Sequence, residues 1–254
     1  ADYDVAQRHS LPLVEIFDDA GALSSALPGV VPAAFAGLDR FDARFRVLAE
    51  LTARGRLVGR DPHAMQLARC SRSGDVLEPR VRPQWYVRCR GALADRARDM
   101  VERDIIKIEP AYGKADWLRW LDDCRDWCVS RQLWWGHRIP AYRLAGNDGN
   151  SGDKEQWFVA PSMDEAAALA KKGGFLTQSA ALEQDPDVLD TWFSSALLPI
   201  SAVPDARRRP LDVMETGGDI LTFWVSRMVM LCSHLDPSGA PPFRRVLLHP
   251  MVRD

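Results

Sequence analysis

Between Trp127 and Pro140 the chain reads W-C-V-S-R-Q-L-W-W-G-H-R-I-P, placing three tryptophans, two arginines, a histidine and a glycine in one short run. That mixture is too costly for an ordinary surface loop, because indole rings left in water forfeit much of their burial energy. The residues before it point to a scaffold. From Lys114 to Cys128 the apolar positions Trp117, Trp120, Leu121, Cys124, Trp127 and Cys128 recur at i, i+3, i+4, i+7, i+10 and i+11, which is one face of an α-helix. Asp116, Asp122, Asp123, Arg125 and Asp126 fall largely on the other side. The period stops at Ser130, and Gly136 and Pro140 mark an irregular, donor-rich segment. The expectation is a buried helix that delivers Arg131, Gln132, Trp134 and His137 to one small region. Composition alone favours a plainer arrangement, a well-packed helix end followed by a strand.

The chain changes texture near Arg88. Before it, Phe41, Phe45, Leu48 and Leu51 or Thr52 share a helical face closed by Gly55. Pro28-Gly29 and Pro32 suggest an exposed loop, and the β-prone runs Asp75–Pro79 and Gln84–Val87 are separated by prolines. This suits an α+β unit or the last part of one. Beyond Arg88, Ala92–Arg103 is amphipathic and Ile105–Ile108 reads as a short strand. Ala141–Leu144 and Gln156–Val159 flank a polar, glycine-rich stretch and predict a hairpin. Ser162-Met163-Asp164-Glu165 is a capping box opening a helix that Gly173-Gly174 closes. Gly218-Asp219 opens a helix to about His234, apolar nearly all round, and Val246–Leu248 reads as a strand with apolar neighbours on both faces. The expected division is therefore 1–88 and 89–254, with a hairpin and helix inserted at about 141–184.

The pattern W-C-x-S-R-Q-x-x-W-G-H-x-I-P resembles a segment of the valyl-tRNA synthetases, class I enzymes, at the return from the inserted editing domain to the catalytic nucleotide-binding domain. Asp187–Leu197 (D-V-L-D-T-W-F-S-S-A-L) and Thr216–Met230 (T-G-G-D-I-L-T-F-W-V-S-R-M-V-M) resemble the same family in the same order. The resemblance thins between about Leu13 and Leu67 and between Asn147 and Gln184. It implies an α/β fold: the second half of a Rossmann-like catalytic domain, preceded by the C-terminal part of an α+β editing domain. The disposition of Trp134-Trp135-Gly136-His137 and Asp219-Ile220 speaks against the isoleucine and leucine enzymes.

The resemblance also implies sites. Trp192, Asp219, Ile220 and Trp224, with the Gly217-Gly218 corner, line or border the aminoacyl-adenylate pocket. Valine offers a small branched side chain and an ammonium, so its pocket needs rigid walls, which indoles provide. Asp219 has three roles open to it: facing the ammonium, facing the ribose, or capping the helix. The family usually has an aromatic residue where this chain has Gly218, which leaves more room beside the adenylate. Arg131, Gln132, Trp134 and His137 are expected at the domain junction. Asp2-Tyr3-Asp4 resembles the last motif of the editing pocket, where Asp2 inherits the grip on the α-amino group of a mischarged residue. Editing is needed because a hydrophobic pocket rejects an added hydroxyl by only about 10²-fold, a figure known for this very family and not obtained from this chain.

Neither an H-I-G-H nor a K-M-S-K-S motif, both of which grip ATP in class I enzymes, occurs in these residues; His249–Asp254 resembles the strand and turn leading into the second. ATP with Mg²⁺, valine and its tRNA, and the remaining parts of the synthetase are the expected ligands and partners, and these residues alone are expected not to activate valine. The first residues, Ala1-Asp2-Tyr3-Asp4, are neither a signal peptide nor an initiator methionine, so an internal piece of a longer chain is expected.

Composition bounds what else is possible. Of 254 residues 46% are hydrophobic and 27% charged, which suits a globular protein. Lys and Arg total 33 against 35 Asp and Glu, a formal charge of −2, so any RNA contact must come from local patches. Five scattered cysteines suit a reducing compartment better than a disulfide framework; the expected location is the cytoplasm, with a mitochondrial form as the alternative. Cys124 and Cys128, without a second pair, read as core residues, and no metal site is expected. No apolar stretch approaches the roughly 18–20 residues needed to span a bilayer. The rival reading is a non-catalytic derivative that keeps the synthetase scaffold as a structural or RNA-associated component.

Overall fold

The computed structural model describes residues 2–25, 30–145, 156–175, 181–203 and 205–251. The chain divides into two compact units, Ala1–Pro83 and Gln84–Asp254, a few residues before the expected boundary near 88. The shift has a local cause: Tyr86 and Val87 pair with Cys128 and Trp127, which ties the segment after Pro83 to the second unit.

In the first unit α1 spans Asp2–His9 and α2 spans Arg40–Ala53. Asp39 starts α2 by accepting the Phe41 N–H at 2.8 Å, and Gly55 follows its end at φ +62°, the left-handed region glycine tolerates. The helical face marked by periodicity is not covered by this unit. Phe45 is 65% exposed, Phe41 and Leu51 are exposed, and Ala43 is the residue α2 buries. The β-prone run at 75–79 forms an isolated bridge, Arg69↔Val76, instead of a strand. Arg40 donates to the Val76 carbonyl, and Arg80 pairs with Glu15 and Asp19.

The second unit opens with β1 (Tyr86–Val87), α3 (Ala92–Glu102), β2 (Lys107–Glu109) and α4 (Tyr112–Asp122). Here the expected helix Lys114–Cys128 is shortened. It stops at Asp122, and Trp127–Cys128 form a strand, β3, antiparallel to β1. Asp126 accepts the backbone N–H of Cys89, which pulls the chain out of helix before Trp127. Cys124 and Cys128 are therefore not on successive turns of one helix. A further strand, β4 (Ser130–Arg131), comes next.

Within the second unit, the stretch expected as an inserted hairpin and helix, at about 141–184, forms a small sheet separate from the main one. It comprises β5 (Ala141–Leu144), β6 (Trp157–Val159), α5 (Met163–Lys172) and β7 (Leu182–Gln184), with β5 central in an antiparallel sheet. Ser162 caps α5 by accepting the Glu165 N–H, and Gly174 lies beyond its end at φ +77°. Tyr142, Phe158, Ala160, Ala166 and Ala170 form a small core. The polar loop expected at 146–152 lies outside the described residues.

After this come β8 (Val188–Leu189), which pairs with β4, then α6 (Thr191–Ser195), α7 (Leu198–Ser201), β9 (Leu211–Gly217), α8 (Ser226–Leu235) and β10 (Phe243–His249). The main sheet is parallel, in the order β2-β10-β9, which defines an α/β unit. Its core gathers Val246 and Phe243 of β10 with Ile106, Trp117, Leu221, Val225 and Val229. The strand expected at 246–248 carries apolar residues on both faces, but one face is not covered: Val246 and Leu248 are buried, whereas Leu247 is 39% exposed. Gly113 lets α4 lie close to the sheet, since a Cβ there would stand 2.7 Å from both Ile108 Cγ2 and Leu248 Cδ1. Among the described residues no helix is long and apolar enough to cross a membrane.

Candidate amino-acid site

In a parallel sheet, ligands bind beyond the carboxyl ends of the strands. Here β9 ends at Gly217, whose register partner is His249, the last residue of β10. The helix expected from Gly218 to His234 is not uniform. Gly218–Ile220 form a 3₁₀ turn, Leu221–Val225 a π-helical turn, and only then does α8 begin. The Ser226 N–H reaches back five residues to the Leu221 carbonyl. Such π turns are uncommon and recur at functional sites. This one sends Leu221 and Val225 into the core while Trp224 stays half-buried.

The glycine corner is open on its outer side. A Cβ at Gly218 would have only the Tyr112 hydroxyl near it, at 3.9 Å, whereas one at Gly217 would stand 2.5 Å from Asp219 Oδ1. The Asp219 side chain is exposed and does not cap α8, whose N-cap is Val225. Of its three roles, helix capping is thus not the one adopted. Glu215 and His249 lie 3.8 Å apart on the neighbouring strand ends.

Trp192, on α6, meets Trp224 with ring centres 5.5 Å apart and planes tilted by 51°. Arg227 lies behind them, its guanidinium 4.2 Å from the Trp127 ring centre and 5.7 Å from that of Trp192. The Trp127 indole N–H donates to Asp190 at 3.1 Å, and Asp190 also pairs with Arg131 at 3.0 Å. Burial draws the pKa of Arg227 downward, opposed by the nearby Cys89 and Asp190. Arginine keeps its charge under such pressure, because its guanidinium delocalises the positive charge.

The tryptophan-rich run is thus a pair of short strands and a loop, not the end of a helix. Gln84 Oε1 accepts from both the Ser130 hydroxyl (2.7 Å) and the Gln132 amide (3.1 Å), and Gln132 also donates to Asp187. The His137 carbonyl accepts the Leu189 N–H, and its ring is exposed. Trp134 is 97% exposed and Trp135 80%, so Trp134 does not join Arg131 and Gln132 in that network. Asp2 sits exposed in the first turn of α1, in the other unit. Cys89 and Cys124 are buried neighbours, and contact with Cys89 together with burial pushes the Cys124 thiol up.

Sequence reasoning passed over Arg227, Asp190 and Tyr112. A signal for the first was available: an arginine in a helix that otherwise buries Met228, Val229, Met230, Leu231 and Cys232 must have a partner. Asp190 lies within the quoted D-V-L-D-T-W-F-S-S-A-L run, but its two partners are distant in sequence.

Residues 8–254 match the family described as tRNA synthetases class I (I, L, M and V). The chain belongs to the class I tRNA synthetases. It is 45% identical to a probable mitochondrial valine–tRNA ligase of Dictyostelium discoideum, with 100% of this chain and 26% of that protein aligned. It is 46% identical to the mitochondrial valine–tRNA ligase of Rattus norvegicus and 45% identical to a valine–tRNA ligase of Homo sapiens, again over its whole length and over 24% and 20% of theirs. The chain therefore spans about a quarter or less of the length of these relatives, which include proteins named mitochondrial and others without that label. A solved LeuRS–tRNA–LeuAMS ternary complex of Agrobacterium radiobacter K84 overlaps 51% of this chain and 20% of its own at a TM-score of 0.35 and 18% identity.

Proposed function

We propose that this chain is the part of a valine–tRNA ligase that builds the side-chain wall of the amino-acid site. The observation that carries the reading is the tilted Trp192–Trp224 pair at the half-exposed edge of a parallel-sheet unit, in a chain 45% identical to valine–tRNA ligases. Two indoles make a rigid, apolar wall suited to a small branched side chain. Ile220 narrows the site beside them, and the open corner at Gly217-Gly218 leaves space for the adenylate. The exposed Asp219 carboxylate suits an ammonium or a ribose.

ATP and Mg²⁺ are substrates of the whole enzyme in this reading. Adenylation requires charge on the pyrophosphate to be neutralised as it develops. No H-I-G-H or K-M-S-K-S motif lies within residues 1–254, so these residues alone do not activate valine, and valine-dependent pyrophosphate exchange by the isolated polypeptide refutes this. The first unit belongs to the editing domain, with Asp2 holding the α-amino group of a mischarged residue.

The test uses the full-length protein. It supports ATP–pyrophosphate exchange with valine in preference to isoleucine and threonine, and Trp224→Ala raises the valine KM by roughly tenfold or more without changing the ATP KM. Exchange driven by another amino acid, or a Trp224→Ala effect shared equally by ATP, overturns the reading.

A further inference from the structure

Trp127 and Trp192 face the same cation but differ in freedom. Trp127 is 5% exposed and its N–H is bound to Asp190, which Arg131 also holds. Trp192 is 37% exposed and rides on the five-residue helix α6. The Arg227 guanidinium lies near both ring faces, at 4.2 and 5.7 Å. A planar cation between a fixed ring and a freer one passes the position of the first to the second. Beyond Trp192 stands Trp224, so a shift of Trp192 alters the spacing of the pair.

We infer that Arg227 is a positioning residue for the amino-acid site: it anchors the Trp192 wall to the Trp127–Asp190 pair and so sets how large a side chain the site admits. The inference rests on the reading of Trp192 and Trp224 as pocket walls. Arg227 itself touches no substrate in this arrangement. It also borders a groove of about 590 Å³ in which Asp116, Asp123 and Asp126 balance Arg119, Arg125 and Arg227 itself, so the groove carries no excess of positive charge, and the ATP arm of the experiment separates a direct role in holding an anion from a positioning one.

The experiment compares Arg227→Met, Arg227→Lys and Trp192→Ala in the full-length protein, by pyrophosphate exchange with valine and with isoleucine. Arg227→Met keeps length and loses charge. It raises the valine KM roughly tenfold, narrows the preference for valine over isoleucine, and leaves the ATP KM unchanged. Arg227→Lys keeps the charge without the planar face and shows a smaller rise of the same kind; should Arg227→Met not fold, this variant alone decides. Unchanged valine KM and preference, or a change shared by ATP or confined to ATP, overturns the inference. If Trp192→Ala shifts valine selection and the Arg227 variants do not, only the positioning role fails. If Trp192→Ala has no effect on valine, the pocket reading fails and the positioning role with it.

Discussion

The indole N–H of Trp127 donates to the Asp190 carboxylate at 3.1 Å across 63 residues of sequence. The same carboxylate holds Arg131 at 3.0 Å, so it joins the start of the tryptophan-rich run to the residue that precedes α6. Asp190→Ala removes an acceptor from a buried ring and a partner from a half-buried guanidinium. The expected cost is about 2–3 kcal/mol of local stability. It is read as faster backbone hydrogen exchange confined to Trp127–Arg131 and Thr191–Ser195, and Asp190→Asn, which keeps one acceptor oxygen, loses less.

Ile220→Ala enlarges the side-chain space next to the tryptophans. One methylene is worth roughly 10–200-fold in such a pocket. The preference for valine over isoleucine in pyrophosphate exchange by the full-length protein is expected to fall by about tenfold. A selectivity equal to that of the parent places Ile220 outside the pocket.

Gly113→Ala tests the close approach of α4 to the sheet. A methyl group here meets Ile108 and Leu248 at 2.7 Å and Leu221 at 3.4 Å. These are packed core atoms on elements other than α4, so the added methyl costs about 1–3 kcal/mol through overpacking, despite the better helix propensity of alanine. A thermal midpoint equal to or above that of the parent contradicts the packing described.

The turn that ends α8 supplies a pH dependence. The Ser238 hydroxyl and backbone N–H donate to Asp236 at 2.6 and 2.9 Å, and Arg209 pairs with its other oxygen at 3.3 Å. The hydrogen bonds from Ser238 above all hold this carboxyl below its usual range. A folded pKa below the unfolded value means that the contribution is complete above the unfolded value, about 4, and is lost as pH falls through the lower, folded one. Asp236→Asn is expected to lower the melting midpoint by roughly 2–4 °C at pH 7. That gap should stay constant down to about pH 5 and close below about pH 4. A gap that widens in acid contradicts the sign.

How much of this was legible in the sequence depended on which interaction decided each element. The helices Ala92–Glu102 and Met163–Lys172 and the strands Ala141–Leu144 and Trp157–Val159 show local signals, an amphipathic period, a serine cap and alternation, and they form where those signals stand. The end of α4 did not show, because Cys124, Trp127 and Cys128 continue a helical period while Val87 and Asp190 claim Trp127 for a strand. The strand Leu211–Gly217 carries Asp212 and Glu215 and lies at the edge of its sheet, so it lacks the apolar run that marks Val246–Leu248. At the candidate site, Trp192 and Trp224 stood out through resemblance, and the fold brings their rings together. Arg227 did not stand out, because the two ring faces it meets are brought together only by the fold.

At Leu221–Val225 the backbone hydrogen bond closes over five residues, from the Ser226 N–H to the Leu221 carbonyl, where an α-helix closes it over four. The segment works as a phase shifter: it separates the angular position of Trp224 from that of Leu221 and Val225 in the core. Taking out a single residue from this turn and restoring even pitch would swing α8 by about 100° around its own axis, carrying Arg227 and the buried row of α8 out of step with Trp127 and the sheet. Every side chain of the site would still be present in the sequence. The placement of Trp224 and Arg227 depends on the count of residues across this turn as much as on which residues they are.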